Sequence, residues 1–171
     1  KPYGLIASQN DDCFYASIVS LENNVEVIYD FKCLPDQKTD FGGLGSSSIH
    51  TNGKILLSIG TADKGITKNS ELAMNKNFYY GKIVEIDKNK LNNSSKEKLN
   101  INIFSQGHRN PQGITKINGT IFSVEHGPKG GDELNKIIKG KNYGWAKVSF
   151  GTRYLEDNKG KSILISHENN G

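Results

Sequence analysis

Apolar and polar residues alternate along this chain in short stretches rather than in helical stripes. Ten segments are rich in β-branched or aromatic residues and bounded by Gly, Asn, Asp or Pro: Tyr3 to Ser8, Cys13 to Leu21, Val25 to Lys32, Ser46 to His50, Lys54 to Gly60, Tyr79 to Asp87, Ile101 to Ser105, Gly113 to Ile117, Thr120 to Glu125 and Leu134 to Ile138. That combination predicts strands. Helical signals are nearly absent. Ser70 to Asn75 is the one stretch that predicts a turn or two of helix, and the Asn/Lys-rich run from Lys88 to Lys98 reads as solvated loop. The expected class is all-β.

An internal echo refines the class. Ile49-His-Thr-Asn-Gly53-Lys-Ile-Leu-Leu-Ser-Ile59 reappears as Ile117-Asn-Gly119-Thr-Ile-Phe-Ser-Val124, each a strand, an Asn-Gly turn and a second strand. Asn-Gly favours the two-residue hairpin in which both central residues take positive φ. By spacing alone, four-stranded propeller blades and a sandwich of unrelated hairpins fit equally well. A turn centred near Asn23 sets residues whose numbers sum to about 46 opposite each other, which predicts a Cys13–Cys33 disulfide. Two buried free thiols are the rival reading.

Length and charge narrow the field. At 171 residues the chain suits one domain, 1–171, and 19 glycines and a mean hydropathy of -0.57 agree with many short segments joined by turns. No apolar run is long enough to span a membrane. Twenty-two Lys plus Arg against 18 Asp plus Glu give +4, but the excess is scattered lysine and only Arg109 and Arg153 are arginines. A nucleic-acid partner is therefore not expected. The four histidines and two cysteines show no familiar zinc-ligand spacing.

The chemistry-bearing stretch is Ser105-Gln-Gly-His-Arg-Asn-Pro-Gln-Gly113, then Val124-Glu-His-Gly-Pro-Lys-Gly-Gly-Asp-Glu-Leu-Asn135, then Gly140-Lys-Asn-Tyr-Gly-Trp145. It puts charged, amide and imidazole side chains on glycine-rich turns at strand ends, where function is commonly carried on a rigid scaffold. Taken together, the three segments resemble the glucose/sorbosone dehydrogenase family in order and spacing. Asn52 to Gly60 and Gly81 to Asp87 are similar to that family's blade strands, so the resemblance runs roughly from Leu5 to Tyr154.

The resemblance implies a six-bladed β-propeller, of which this chain would form about three blades. It also implies pyrroloquinoline quinone (PQQ) and calcium as cofactors, an aldose sugar as substrate, and a periplasmic or secreted location. Arg109, Asn110, Gln112 and His126 match positions that meet the quinone, with Arg109 stabilising oxygens on which negative charge grows. The carbonyls of Gly127 and Pro128 match ligands of the cofactor's calcium. Asp132, Glu133 and Tyr143 match the neighbourhood of a second calcium, which requires oxygen donors. Trp145 is expected to pack between blades.

The sequence departs from the family at the general base. The family's histidine precedes a Phe-Gly-Gly turn, and here that turn reads Thr39-Asp-Phe-Gly-Gly-Leu-Gly45. Anchored on Phe41, the alignment puts Asp40 in the histidine's place; anchored on Gly53 and Gly60, it puts the position near Gly42. An aspartate acts as a base only if burial or a neighbouring anion raises its pKa. Three readings follow: a PQQ-dependent sugar dehydrogenase with its other blades outside this chain, a non-catalytic calcium-binding propeller or carbohydrate-binding scaffold, and an unrelated secreted β-domain. Open blade faces and strand edges predict self-association or marginal stability, and half a ring predicts weak quinone binding without turnover.

Overall fold

The two Asn-Gly turns are the hairpins their chemistry dictates. Asn52 and Asn118 both sit at φ 48, followed by Gly53 at φ 73 and Gly119 at φ 82. The computed structural model of the chain describes residues 2–35, 44–63, 68–93 and 99–151. Within them ten strands form three antiparallel sheets. The first holds β1 (Tyr3–Asn10), β2 (Cys13–Ser20) and β3 (Glu26–Asp30). The second is the four-stranded meander β4 (Ser48–Thr51), β5 (Lys54–Ile59), β6 (Lys82–Asp87) and β7 (Ile101–Gln106). The third holds β8 (Pro111–Ile117), β9 (Thr120–Glu125) and β10 (Glu133–Ile137).

Side chains alternate across a strand, so the middle sheet can bury both faces. On β5, Ile55, Leu57 and Ile59 turn toward Ala16, Ile18 and Ile28 of the first sheet, while Leu56 turns toward Ile114 and Ile137 of the third. Val84 and Ile86 of β6 face the first sheet, and Ile83 faces the third. This explains why Ile55-Leu56-Leu57 is an unbroken apolar run rather than alternating with polar residues. Tyr80, fully buried, joins the first two sheets: its hydroxyl accepts a hydrogen bond from Ala16 N at 2.8 Å and donates to Lys32 O at 3.1 Å. The three sheets thus stack face to face in chain order, with β4 beside β8, as successive propeller blades do.

The Cys13–Cys33 disulfide is formed, with Cα atoms 5.4 Å apart. The turn arithmetic holds at Val19↔Val27 and Ser20↔Glu26, and a bulge between Ile18 and Val19 then shifts the register by one. The cysteines therefore meet just beyond the paired residues. Closing a loop of this length removes unfolded-state freedom worth about 3 kcal/mol.

Two expectations need correction. The run beginning at Lys88 is not all loop, because Lys88–Asn93 forms a short helix, α1. Asp87 Oδ1 accepts a hydrogen bond from Asn89 N at 3.0 Å, as helix-capping carboxylates do, and Leu91 is buried against the core. Strand β6 starts at Lys82 rather than Tyr79, because Gly81 turns the chain at φ 67. The expected turn at Ser70 is a 3₁₀ turn, Ser70–Ala73, called η1 below. Among the described residues no helix is long and apolar enough to cross a membrane.

Candidate functional site

The loops that leave β7 and β9, together with the chain after β10, meet at one end of the second and third blades. A cleft there is lined by Gly107, Arg109, Glu125, Gly127, Glu133 and Trp145, among others. Gly107 must be glycine. Its φ is +77, and a Cβ would stand 2.1 Å from Asn142 Oδ1 and 2.6 Å from Gly144 N. Only then can the Gly107-His108-Arg109 turn lie against the Asn142 to Trp145 segment, where Trp145 N donates to Gly107 O at 3.0 Å.

Arg109 is the hub. It is only 7% exposed, its backbone N donates to Glu125 Oε2 at 3.0 Å, and its Nη1 donates to His126 O at 3.0 Å and Gly127 O at 2.7 Å. Its guanidinium carbon lies 5.5 Å from the centre of the Trp145 ring, a cation–π arrangement. Arg109 Nε lies 3.8 Å from Asp63 Oδ1, and neither atom makes a hydrogen bond among the described residues. Asp63 is buried and accepts at Oδ2 from Thr61 Oγ1 at 2.6 Å and Ser70 Oγ at 2.8 Å. Burial raises the Asp63 pKa, opposed by those two hydroxyls and by Arg109. Ala62 beside it sits at φ 54, a strained conformation for a residue with a Cβ.

A second cluster lies behind Arg109. Glu125 and Glu133 are cross-strand partners, and Asn135 Nδ2 donates to both, at 2.7 Å to Glu125 Oε1 and 3.0 Å to Glu133 Oε2. Desolvation, then the facing Glu125, push the Glu133 pKa up to about 7. His108 is fully buried, with Nε2 2.8 Å from Ser105 Oγ, Nδ1 3.4 Å from Glu125 Oε1, and its ring stacked on Tyr143 at 4.6 Å. It acts as a fastener between loops, with no open face toward the cleft.

The remaining expected residues divide. His126 and Asp132 are exposed and pair at 3.2 Å, with Gly127 N donating to Asp132 Oδ1 at 3.1 Å. Mainly through the His126 hydrogen bond, the Asp132 pKa is lowered. Asp132 and Glu133 therefore serve different clusters although they are consecutive. Asn110 is buried and accepts from Gly45 N at 2.7 Å and Gln112 Nε2 at 3.0 Å, so the two amides tie the loop before β4 to β8. Tyr143 Oη accepts from Ile138 N at 2.9 Å and donates to Lys136 O at 2.5 Å, which closes its own turn. Trp145 packs on Arg109 rather than simply between blades. Asp40 lies outside the described residues. Asp63 and Lys82 carry no motif in the sequence; the available signal is a polar residue just beyond, or at the head of, a largely buried strand.

A family model described as Glucose / Sorbosone dehydrogenase matches residues 15–169. The chain belongs to that family. It is 50% identical over 48 residues to quinoprotein glucose dehydrogenase B of Acinetobacter calcoaceticus, covering 28% of this chain and 10% of that protein. It is 48% identical over 54 residues to an aldose sugar dehydrogenase of Escherichia coli, covering 30% and 15%. Among solved structures, the soluble E. coli aldose sugar dehydrogenase superposes with a TM-score of 0.70 at 20% identity, over 96% of this chain and 49% of that one. A PQQ-bound aldose sugar dehydrogenase from Streptomyces coelicolor gives 0.57 at 18%, over 96% and 47%. The chain thus spans about half the length of these solved relatives, and its three sheets are about three blades of an all-β propeller.

Whether the site suits a quinone and calcium can be judged from its donors. The Arg109 guanidinium lines the cleft and a guanidinium suits an anionic oxygen, although its Nε faces Asp63 rather than the cleft. The Glu133 carboxyl, its pKa raised to about 7 by burial and then by the facing Glu125, suits exchange of a proton for a hard cation, and the carbonyl of Gly127 keeps a second lone pair. Among the described residues no group of three His, Cys, Asp or Glu side chains is preassembled around a metal position. Backbone carbonyls would have to supply most of the ligands.

Proposed function

We propose that the chain is the quinone-proximal part of a PQQ- and calcium-dependent oxidoreductase that takes hydride from the anomeric carbon of an aldose sugar. The observation that carries this reading is the buried Arg109, held by the His126 and Gly127 carbonyls and lining a small cleft, on the turn that matches the family's quinone-contacting motif. When bound, PQQ supplies the two-electron acceptor and calcium polarises its carbonyl region. The chain's own residues do the rest. Arg109 offers positive charge to oxygens that become more negative as the sugar is oxidised. Asn110, Gln112 and His126 lie around it, the first two fixing the loop that carries Arg109. The carbonyls of Gly127 and Pro128 would provide ligands for the cofactor's cation; Asp132, Glu133 and Tyr143 match a second cation's neighbourhood by sequence, and of these Glu133, beside Glu125, is the carboxylate suited to serve it, since Asp132 pairs with His126 and the Tyr143 hydroxyl closes its own turn. Asp40 takes the general base's position in the sequence. The Cys13–Cys33 disulfide supports an oxidising compartment, periplasmic or extracellular.

The replacement of the family's histidine favours one other reading, a propeller that keeps calcium and a sugar surface but not turnover. A dye-linked aldose assay on calcium- and PQQ-loaded protein separates the two. Bound quinone with dye reduction is expected of the enzyme. Bound quinone that no aldose reduces assigns the chain to a binding role, or to half a site needing its remaining blades. Adding those blades then distinguishes these.

A further inference from the structure

Lys82 is fully buried, yet a leucine would fill the same volume without burying a charge. An ammonium has three N–H donors, and Lys82 Nζ uses all three on backbone carbonyls: Leu72 O at 2.5 Å, Ala73 O at 3.0 Å and Tyr80 O at 3.0 Å. Among the described residues no carboxylate lies within ion-pair distance. Burial pulls its pKa down to about 7, while a tripod of carbonyls is the surrounding that favours the charged form.

Two of those carbonyls end η1, and η1 leads to Arg109 by two routes. Ala73 O, besides accepting a hydrogen bond from Lys82 Nζ, accepts from the N–H of Gly107, the first residue of the Arg109 turn, at 2.9 Å. Ser70, at the other end of η1, donates to Asp63, whose Oδ1 faces Arg109 Nε. The joint is tight. A Cβ on Gly81, next to Lys82, would lie 2.6 Å from Ala73 Cβ and 2.7 Å from His108 O.

We infer that Lys82 is a positioning residue for the Arg109 site, clamping η1 so that Ser70 holds Asp63, and Ala73 holds Gly107, at the height that sets the guanidinium. Its importance to catalysis rests on the function proposed above, whereas the clamp itself does not.

The test reads the site without cofactor. Trp145 is the chain's single tryptophan and stacks on Arg109, so its emission and acrylamide quenching report the guanidinium's place. In Lys82→Met, emission should shift red and the quenching constant should rise about twofold or more as the loop opens locally. Leu91→Ala, a core truncation away from η1, should lower stability and leave both signals unchanged. Ser70→Ala should shift emission in the same direction, and the double variant should shift it less than the sum of the two. If Lys82→Met does not fold, Lys82→Gln, which keeps two N–H donors, should give an intermediate shift. An unchanged Trp145 signal in a folded Lys82 variant would overturn the inference even if quinone binding stands. Failure of quinone binding with the Trp145 shift present would overturn the function and leave the clamp.

Discussion

Replacing Tyr80 with Phe removes one oxygen from the joint between the first two blades and nothing else. The ring remains among its apolar neighbours, including Phe31 at 6.2 Å between centroids. What is lost is the acceptor for Ala16 N and the donor to Lys32 O. Ala16 is fully buried, so its N–H has no route to water, whereas Lys32 is exposed and its carbonyl can be hydrated. The larger cost is therefore the orphaned donor, about 1–3 kcal/mol, with about 0.5–1 kcal/mol more for the second bond. Stability should fall by roughly 1.5–4 kcal/mol, or about 3–16 °C in melting temperature for a chain of this size. Urea unfolding followed by circular dichroism measures it, and an unchanged denaturant slope would show that the native state keeps its compactness. Tyr79→Phe is the control. Among the described residues its hydroxyl bonds Ile101 O alone, at 3.1 Å from a half-buried position, and its removal should cost under about 1 kcal/mol. Equal losses in the two variants, or a loss below about 0.5 kcal/mol in Tyr80→Phe, would refute the claim that the blades are joined through this hydroxyl.

Gly107→Ala should destabilise by roughly 2–4 kcal/mol, because it adds a steric collision to positive-φ strain. Gly119→Ala, with no atom near its Cβ, should cost about 1 kcal/mol, and similar melting temperatures would contradict the described loop contact. Reducing the Cys13–Cys33 bridge should lower stability by about 3 kcal/mol, and two thiols titrating in the unreduced, denatured chain would refute it. Calcium at about 100 times its dissociation constant should add about 2.7 kcal/mol to stability, and Glu133→Gln should abolish much of that gain. Because Glu133 keeps its proton up to about pH 7, calcium must displace it, so affinity should rise from pH 6 to 8 in the native chain and stay flatter in Glu133→Gln; calorimetry at several pH values checks the sign. Sedimentation should show self-association through exposed Leu134 and Val124 on the third blade, which a Leu134→Lys variant weakens; a monomer at all concentrations would rule that out.

Much of the fold could be read along the chain because strand and turn chemistry is local. Asn52-Gly53 and Asn118-Gly119 each specify their hairpin unaided, and all ten strand segments reappear with ends moved by a few residues. The ends moved where a long-range contact decides them, as at Gly81, which must turn to let η1 approach. Helix α1 escaped notice because its stability comes from the Asp87 cap and the burial of Leu91, not from its Asn/Lys-rich surface. The site was legible as a motif and not as a geometry. Arg109, Gly127 and Glu133 stood out by family spacing. The partners that tune them are Asp63, 46 positions before Arg109, and Lys82, a charge inside an apolar strand, and their roles exist only once β5, η1 and β7 are folded together.

The central claim is that Arg109 and the loop from His126 to Glu133 form a calcium-dependent quinone site, and titration calorimetry of PQQ into the calcium-loaded chain tests it most directly. Saturable one-to-one binding that chelator removes and Arg109→Gln weakens by about 10-fold or more is the predicted result, since a lost charge-assisted hydrogen bond costs about 1.5–3 kcal/mol. No saturable heat with calcium present, or the same affinity in Arg109→Gln, would contradict it.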